Sequence, residues 1–147
     1  MAVRLTEAER GRGDIKTFNK NIGIPGDYKT GPHVWRGKTT TNHNTTEGKK
    51  YTYGTFNLVD RDGNKAHPGH CAHRISIFVE TGFLVPDDFD VVSLVGDYLD
   101  VNPAHLGIVD KSLRGAEREA AIIPALQFIA QRRAANDNVA AKSQAAA

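Results

Sequence analysis

The stretch "DRDGNK", residues 60–65, constrains the fold more than any other. It follows "YTYGTFNLV", a run rich in the β-branched and aromatic residues that suit a pleated, half-buried strand. Its Asp-Gly step supplies the backbone freedom that a tight reversal needs. With "HCAHRIS" returning behind it, the spacing predicts an antiparallel hairpin or small meander near the middle of the chain. The flanking segments carry a different period. "DIKTFNKNI" combines an Asp cap with Ile15, Phe18 and Ile22 at helical spacing, and "GAEREAAIIPALQFIAQRRAA" repeats Ile122, Leu126, Ile129 and Arg133 on one helical face. Strands in the centre and helices at the ends predict an α+β domain.

The remaining segments fill in that plan. Residues 1–14 are charged and Gly-punctuated, and read as a flexible arm with a short helix over "TEAER". "HVWRG" reads as a strand, "KTTTNHNTTEGKK" as a polar turn or loop, and "VPDDFDVVSLVGDYL" as strand and loop. Pro103 opens a helix or turn over "NPAHLGIV", and Pro124 is expected to kink the C-terminal helix. The expected organisation is a central domain over 15–115, a helix over 116–135 and a disordered tail over 136–147. A chain of 147 residues supports one modest core.

Charge and cysteine content narrow the setting. One cysteine, Cys71, forms no internal disulfide, no apolar run approaches a membrane span, and the N-terminus has no secretory pattern. These features predict a cytoplasmic protein with no membrane partner. The net charge of +2 is small but unevenly spread. From 29 to 65 the bases Lys29, Arg36, Lys38, Lys49, Lys50, Arg61 and Lys65 face only Glu47, Asp60 and Asp62. From 80 to 110 there are seven acids, Glu80, Asp87, Asp88, Asp90, Asp97, Asp100 and Asp110, and no Lys or Arg. The first region suits phosphate and the second repels it.

Three stretches, taken in order, carry a resemblance. "VWRG" with "YGTF" behind it, "AHRISIFVETGFLVP", and "VNPAHL" followed by "SLRG" resemble, in identity and separation, the HNH endonucleases of phages and mobile elements. The likeness spans roughly Phe18 to Gly115. It implies a small ββα-metal fold, in which two antiparallel strands and a helix grip a divalent ion beside the scissile phosphate. It also implies a helix over "RISIFVETG", although Ile75, Ile77, Phe78 and Val79 are strand formers by propensity. The chain departs from the family where the chemistry resides. The general-base histidine falls on Ser93, whose hydroxyl accepts no proton usefully near neutrality, and the metal-binding acid before it falls on Val92. On the closing helix Asp110 remains as a ligand of uncertain register. Of four structural-zinc positions, three fall on Pro32, Val95 and Asp100 while His105 survives, so apolar packing through Val92, Leu94, Val95 and Leu99 is expected in place of the ion.

One other cluster bears metal-binding groups. "HPGHCAHR" places His67, His70, Cys71 and His73 within seven residues, and with His105 these are the weak candidates for a metal. The stronger expectation is that none of them binds one, that Trp35 is a core residue, and that Ser93 fills space left by the histidine. The predicted function is a catalytically inactive HNH-like module that binds DNA or regulates, with no cofactor. Its phosphate contacts are expected from Arg36, Lys38, Lys49, Lys50, Arg61, Lys65 and Arg74. Two alternatives stand beside it. One is a protein-binding inhibitor or anti-regulator that uses the acidic stretch. The other is an active metal-dependent nuclease with displaced ligands at Asp90, Asp110 or His105. A homodimer through the apolar C-terminal helix is a further expectation.

Overall fold

The computed structural model describes the backbone of residues 5–44 and 49–145, and the side chains of residues 5–41 and 51–136. The N-terminal segment is docked, against the expectation of a loose arm. Thr6 and Glu9 cap each other reciprocally, Thr6 N to Glu9 Oε1 at 3.1 Å and Glu9 N to Thr6 Oγ1 at 3.2 Å, so the "TEAER" turn satisfies its own donors. Strand β1 (Arg12–Gly13) then pairs in parallel with β6 (Asn57–Leu58). Helix α1 (Ile15–Lys20) starts where Asp14 accepts from Thr17 N at 3.0 Å, and it buries Phe18. Strands β2 (Ile22–Gly23) and β3 (Val34–Trp35) form a short antiparallel pair.

The longest ladder joins β4 (Thr39–Asn44) to β5 (Lys49–Gly54), in register from Thr39 opposite Gly54 to Asn44 opposite Lys49. "KTTTNHN" is therefore a strand where a loop was expected. Its β-branched threonines suit extended backbone, and Thr41 and Thr52 meet hydroxyl to hydroxyl at 3.0 Å across the ladder. The "DRDGNK" turn closes, but the hairpin expected across it does not form. Val59 with Lys65 and Thr55 with Cys71 meet only in isolated antiparallel bridges, and the expected return strand "HCAHRIS" winds into a helix from Ala72. Asp60 Oδ1 accepts from Asp62 N and Asn64 N, and Gly63 takes φ +81°.

Helix α2 (Ala72–Thr81) takes the segment that propensity assigns to a strand, and Gly82 closes it in the left-handed conformation. Two buried clusters explain the override. Ala72 and Ile75 join Phe18, Trp35, Phe56, Leu58 and Val101, whereas Ile77 joins Val85, Val91, Leu106, Ile108, Ala125, Phe128 and Ile129. Helical winding serves both groups from one element. Arg74 reinforces it, donating Nη1 to Phe89 O at 2.7 Å and Nη2 to Val85 O and Pro86 O at 3.1 and 3.0 Å.

Strand β7 (Phe89–Ser93) pairs antiparallel with β8 (Leu106–Asp110), Ser93 opposite Leu106 and Phe89 opposite Asp110. A 3₁₀ turn at Pro103–His105, capped by the Asn102 side chain, precedes β8. Helix α3 (Gly115–Ala121) follows. The long C-terminal helix expected from periodicity is divided: Ile123–Pro124 forms β9 against β8, and α4 (Ala125–Ala145) begins afterwards. Pro124 lacks the N–H that helix continuation needs, and an edge strand tolerates that loss. The helix also runs on past 135, where a disordered tail was expected. Ala125, Phe128 and Ile129 close the core, while Leu126 remains exposed. Among the described residues no helix is long and apolar enough to cross a membrane.

Candidate functional site

A polar cleft of about 670 Å³ opens where β5, the end of β7, the loop after it and α3 converge. Side chains alternate along β7, so Asp90 and Val92 face the cleft while Val91 enters the core. Ser93 sits at the strand end. Its Oγ donates to Asp97 O at 3.2 Å and accepts from Asp97 N at 3.0 Å, which ties the hydroxyl into its own loop. From α3 come Arg118 and Glu119, with Arg114 at the helix cap. Arg118 Nη2 meets Asp90 Oδ2 at 3.0 Å, and Arg114 Nη1 donates to the carbonyls of Lys111 and Leu113. Tyr51 and Tyr98 form the remaining wall.

The same two tyrosines border a second cavity of about 220 Å³, lined also by Tyr53, Cys71 and His73. Its rings meet edge to face: Tyr51 and Tyr98 at 5.5 Å, His73 and Tyr98 at 5.8 Å, Tyr53 and His73 at 6.0 Å between centroids. His73 is 7% exposed, and its Nδ1 has no hydrogen-bond partner. Burial, with Arg74 nearby, pushes its pKa down to about 4, so the ring is neutral near neutrality. Burial also raises the Cys71 thiol and the Tyr98 phenol above their ordinary ranges. Cys71 is therefore held as a thiol, a weak ligand and a weak nucleophile.

A catalytic metal does not fit these groups. Val92 offers no donor and the Ser93 hydroxyl is engaged. Asp110 lies at the opposite end of the β7–β8 ladder, four residue steps from Ser93, or about 13 Å along the strand at ~3.4 Å per step. Its carboxylate accepts from Ser112 N and Oγ at 2.8 and 2.7 Å, bonds that hold it below the usual carboxylate range. Asp90 is paired with Arg118, and a guanidinium beside it opposes a second cation. Among the described residues no three His, Cys, Asp or Glu side chains converge for a metal. His67 is buried against Phe78 and accepts from Gly69 N at 3.0 Å, His70 is exposed, Cys71 lines the aromatic cavity, and His105 lies across the molecule by Asp100.

Two of the residues that the resemblance would place at a structural zinc, Asp100 and His105, are joined by a hydrogen bond. Asp100 is 3% exposed; its Oδ1 accepts from His33 N and Asn102 N at 3.1 Å, and its Oδ2 meets His105 Nδ1 at 2.6 Å. His105 Nε2 faces Thr30 O at 3.0 Å, and Asn102 Nδ2 donates to Gly31 O at 2.8 Å. Hydrogen bonds, rather than the apolar packing expected here, tie this segment together. Leu94 and Val95, expected in the core, are 45% and 56% exposed because their loop turns outward through Gly96 at φ +79°.

The sequence-predicted phosphate contacts are scattered. Arg36, Lys38, Arg61 and Lys65 are exposed, but none of them lines either cavity. Lys65 Nζ donates to Pro68 O at 3.3 Å, and Arg74 is committed to main-chain carbonyls within the fold. Lys49 and Lys50 belong to β5, and their side chains lie outside the described residues. The cleft instead carries Arg114 and Arg118, which the charge count passed over. "SLRG" held the signal: Arg114 is the third residue of that motif, and Arg118 follows one helical turn later. Comparison with known proteins adds nothing to this geometry, since no protein-family model, curated protein or solved structure matches the chain.

Proposed function

We propose that this protein is a catalytically inactive HNH-like module that binds DNA in the cleft between β5, β7 and α3. The observation that carries the reading is Ser93: at the end of the first strand of an antiparallel pair followed by a helix, its hydroxyl is tied twice to Asp97, with Val92 beside it. A site that splits phosphodiesters needs a base to activate water and a cation to stabilise the leaving oxygen. At Val92 and Ser93 this cleft supplies no imidazole and no metal ligand, while Arg114 and Arg118, beside Asp90 and Glu119, bring guanidinium groups of the kind that bind phosphate. The order of strand, strand and helix supports kinship with the ββα-metal fold.

The acidic-surface alternative has less behind it. Of the seven carboxylates from 80 to 110, Asp100 is buried, Asp90 is paired with Arg118, Glu80 accepts from Tyr28 at 2.5 Å and Asp110 caps a turn. Four of the seven are therefore engaged within the fold. Two assays on purified protein test the reading. Electrophoretic shift of DNA in EDTA should show a complex that weakens as salt rises, and plasmid held with Mg²⁺ or Mn²⁺ should stay intact. Metal-dependent nicking that disappears in Asp90→Ala would restore the active-nuclease alternative.

A further inference from the structure

We infer that the aromatic cavity of Tyr51, Tyr53, His73 and Tyr98 holds one unpaired nucleobase, and that the protein binds single-stranded or locally opened DNA. The inference rests on the DNA-binding reading above and names the form of DNA. Two cavities of opposite character share a wall: the smaller is lined by aromatic rings, the larger by Arg114, Arg118 and other polar groups, and Tyr51 and Tyr98 border both. A ligand that fills the pair needs a flat ring at one end and an anion a short distance away. A nucleotide has that form.

Size and charge narrow the choice further. A cavity of about 220 Å³ has room for roughly seven waters at ~30 Å³ each, which suits one heterocycle and not a base pair. Its rings stand at 68° to 79° to one another, so a guest ring meets both faces and edges. A quaternary ammonium would also suit aromatic rings, but Arg74 beside His73 and Arg118 near Tyr98 disfavour a second cation.

Cys71, the one cysteine of the chain, lines this cavity and reports on it. Binding of oligothymidylate and of an abasic strand of equal length is measured by fluorescence anisotropy at low salt, alongside the rate of Cys71 alkylation by iodoacetamide. The expected result is that oligothymidylate binds roughly ten-fold more tightly than the abasic strand and slows alkylation, at ~1–3 kcal/mol per stacked base. Tyr98→Ala should lose about the same factor, and Tyr51→Phe, which keeps the ring, should not. Equal affinity for the two strands with Cys71 equally reactive would overturn the base cavity while leaving phosphate binding in place. No binding of either strand would overturn the DNA-binding reading itself. The strand comparison uses the unaltered protein, so it holds even if a tyrosine variant fails to fold.

Discussion

Asp100 occupies a position where the HNH resemblance places a zinc ligand, and it organises the same piece of chain without an ion. One carboxylate receives two main-chain N–H groups and the imidazole of His105, drawing the segment before β3, the loop before β8 and the 3₁₀ turn to one point. Removing the carboxylate leaves buried N–H groups without an acceptor, at about 1–3 kcal/mol each. Asp100→Ala should lose stability on that scale in urea unfolding, while EDTA should leave the melting temperature of the unaltered protein unchanged. His73 gives a second residue-scale expectation. Its folded pKa, about 4, lies below the ordinary histidine value of 6.5, so the unfolded chain takes up the extra proton between those values. The contribution of its neutral form is complete above pH 6.5 and is lost as pH falls towards 4, on the order of 3 kcal/mol at ~1.36 kcal/mol per pH unit. Unfolding free energy should therefore fall with pH across that window, and His73→Phe should flatten the fall. An unchanged slope in the variant would show that His73 is not buried neutral. Legibility at this scale was partial. That Val92 and Ser93 offer neither an imidazole nor a carboxylate could be read from their identities, but the Asp100–His105 pair could not, because it depends on how a loop and a turn close in space.

At the scale of elements, the β4–β5 hairpin and α2 frame the aromatic cavity, and Gly54 sets how closely the hairpin approaches the core. A Cβ at Gly54 would stand 2.4 Å from Cδ1 of Trp35, a ring held between Phe18 and Phe56. Overpacking of this kind costs about 1–3 kcal/mol. Gly54→Ala should lose that much stability and shift the emission of Trp35, the one tryptophan, to longer wavelength; unchanged emission and stability would mean the hairpin is free to move away. Features with a local cause were readable from sequence: the Asp14 cap of α1 and the Asp-Gly turn, though not the pairing expected across it. Those with a distant cause were not. The threonine strand β4 exists because β5 lies beside it, and Ile123–Pro124 leaves the helical pattern because β8 presents an open edge. Propensity alone misassigns α2 as well, and the family resemblance supplied the helix there.

For the whole molecule, Arg114 and Arg118 line the cleft, whereas the exposed Arg36, Lys38, Arg61 and Lys65 lie outside both cavities of the candidate site. If Arg114 and Arg118 each hold one phosphate of a single strand, binding should weaken with salt at a log–log slope near −1.4, at ~0.7 per contact. Arg114→Ala should lower that slope by about 0.7, whereas Arg61→Ala, at the exposed turn, should leave it unchanged. Equal effects from the two variants would place DNA on the exposed residues that the distribution of Lys and Arg along the chain first pointed to. That distribution was legible, but the cleft arginines were not, because α3 folds back over β7 only in three dimensions. The measurement that bears most directly on the account is an anisotropy titration of one labelled oligonucleotide, run in EDTA and again in Mn²⁺, with the strand recovered and sized afterwards. The account expects the same affinity in both, and an intact strand. Binding that requires Mn²⁺, or recovery of a shortened strand, would contradict it.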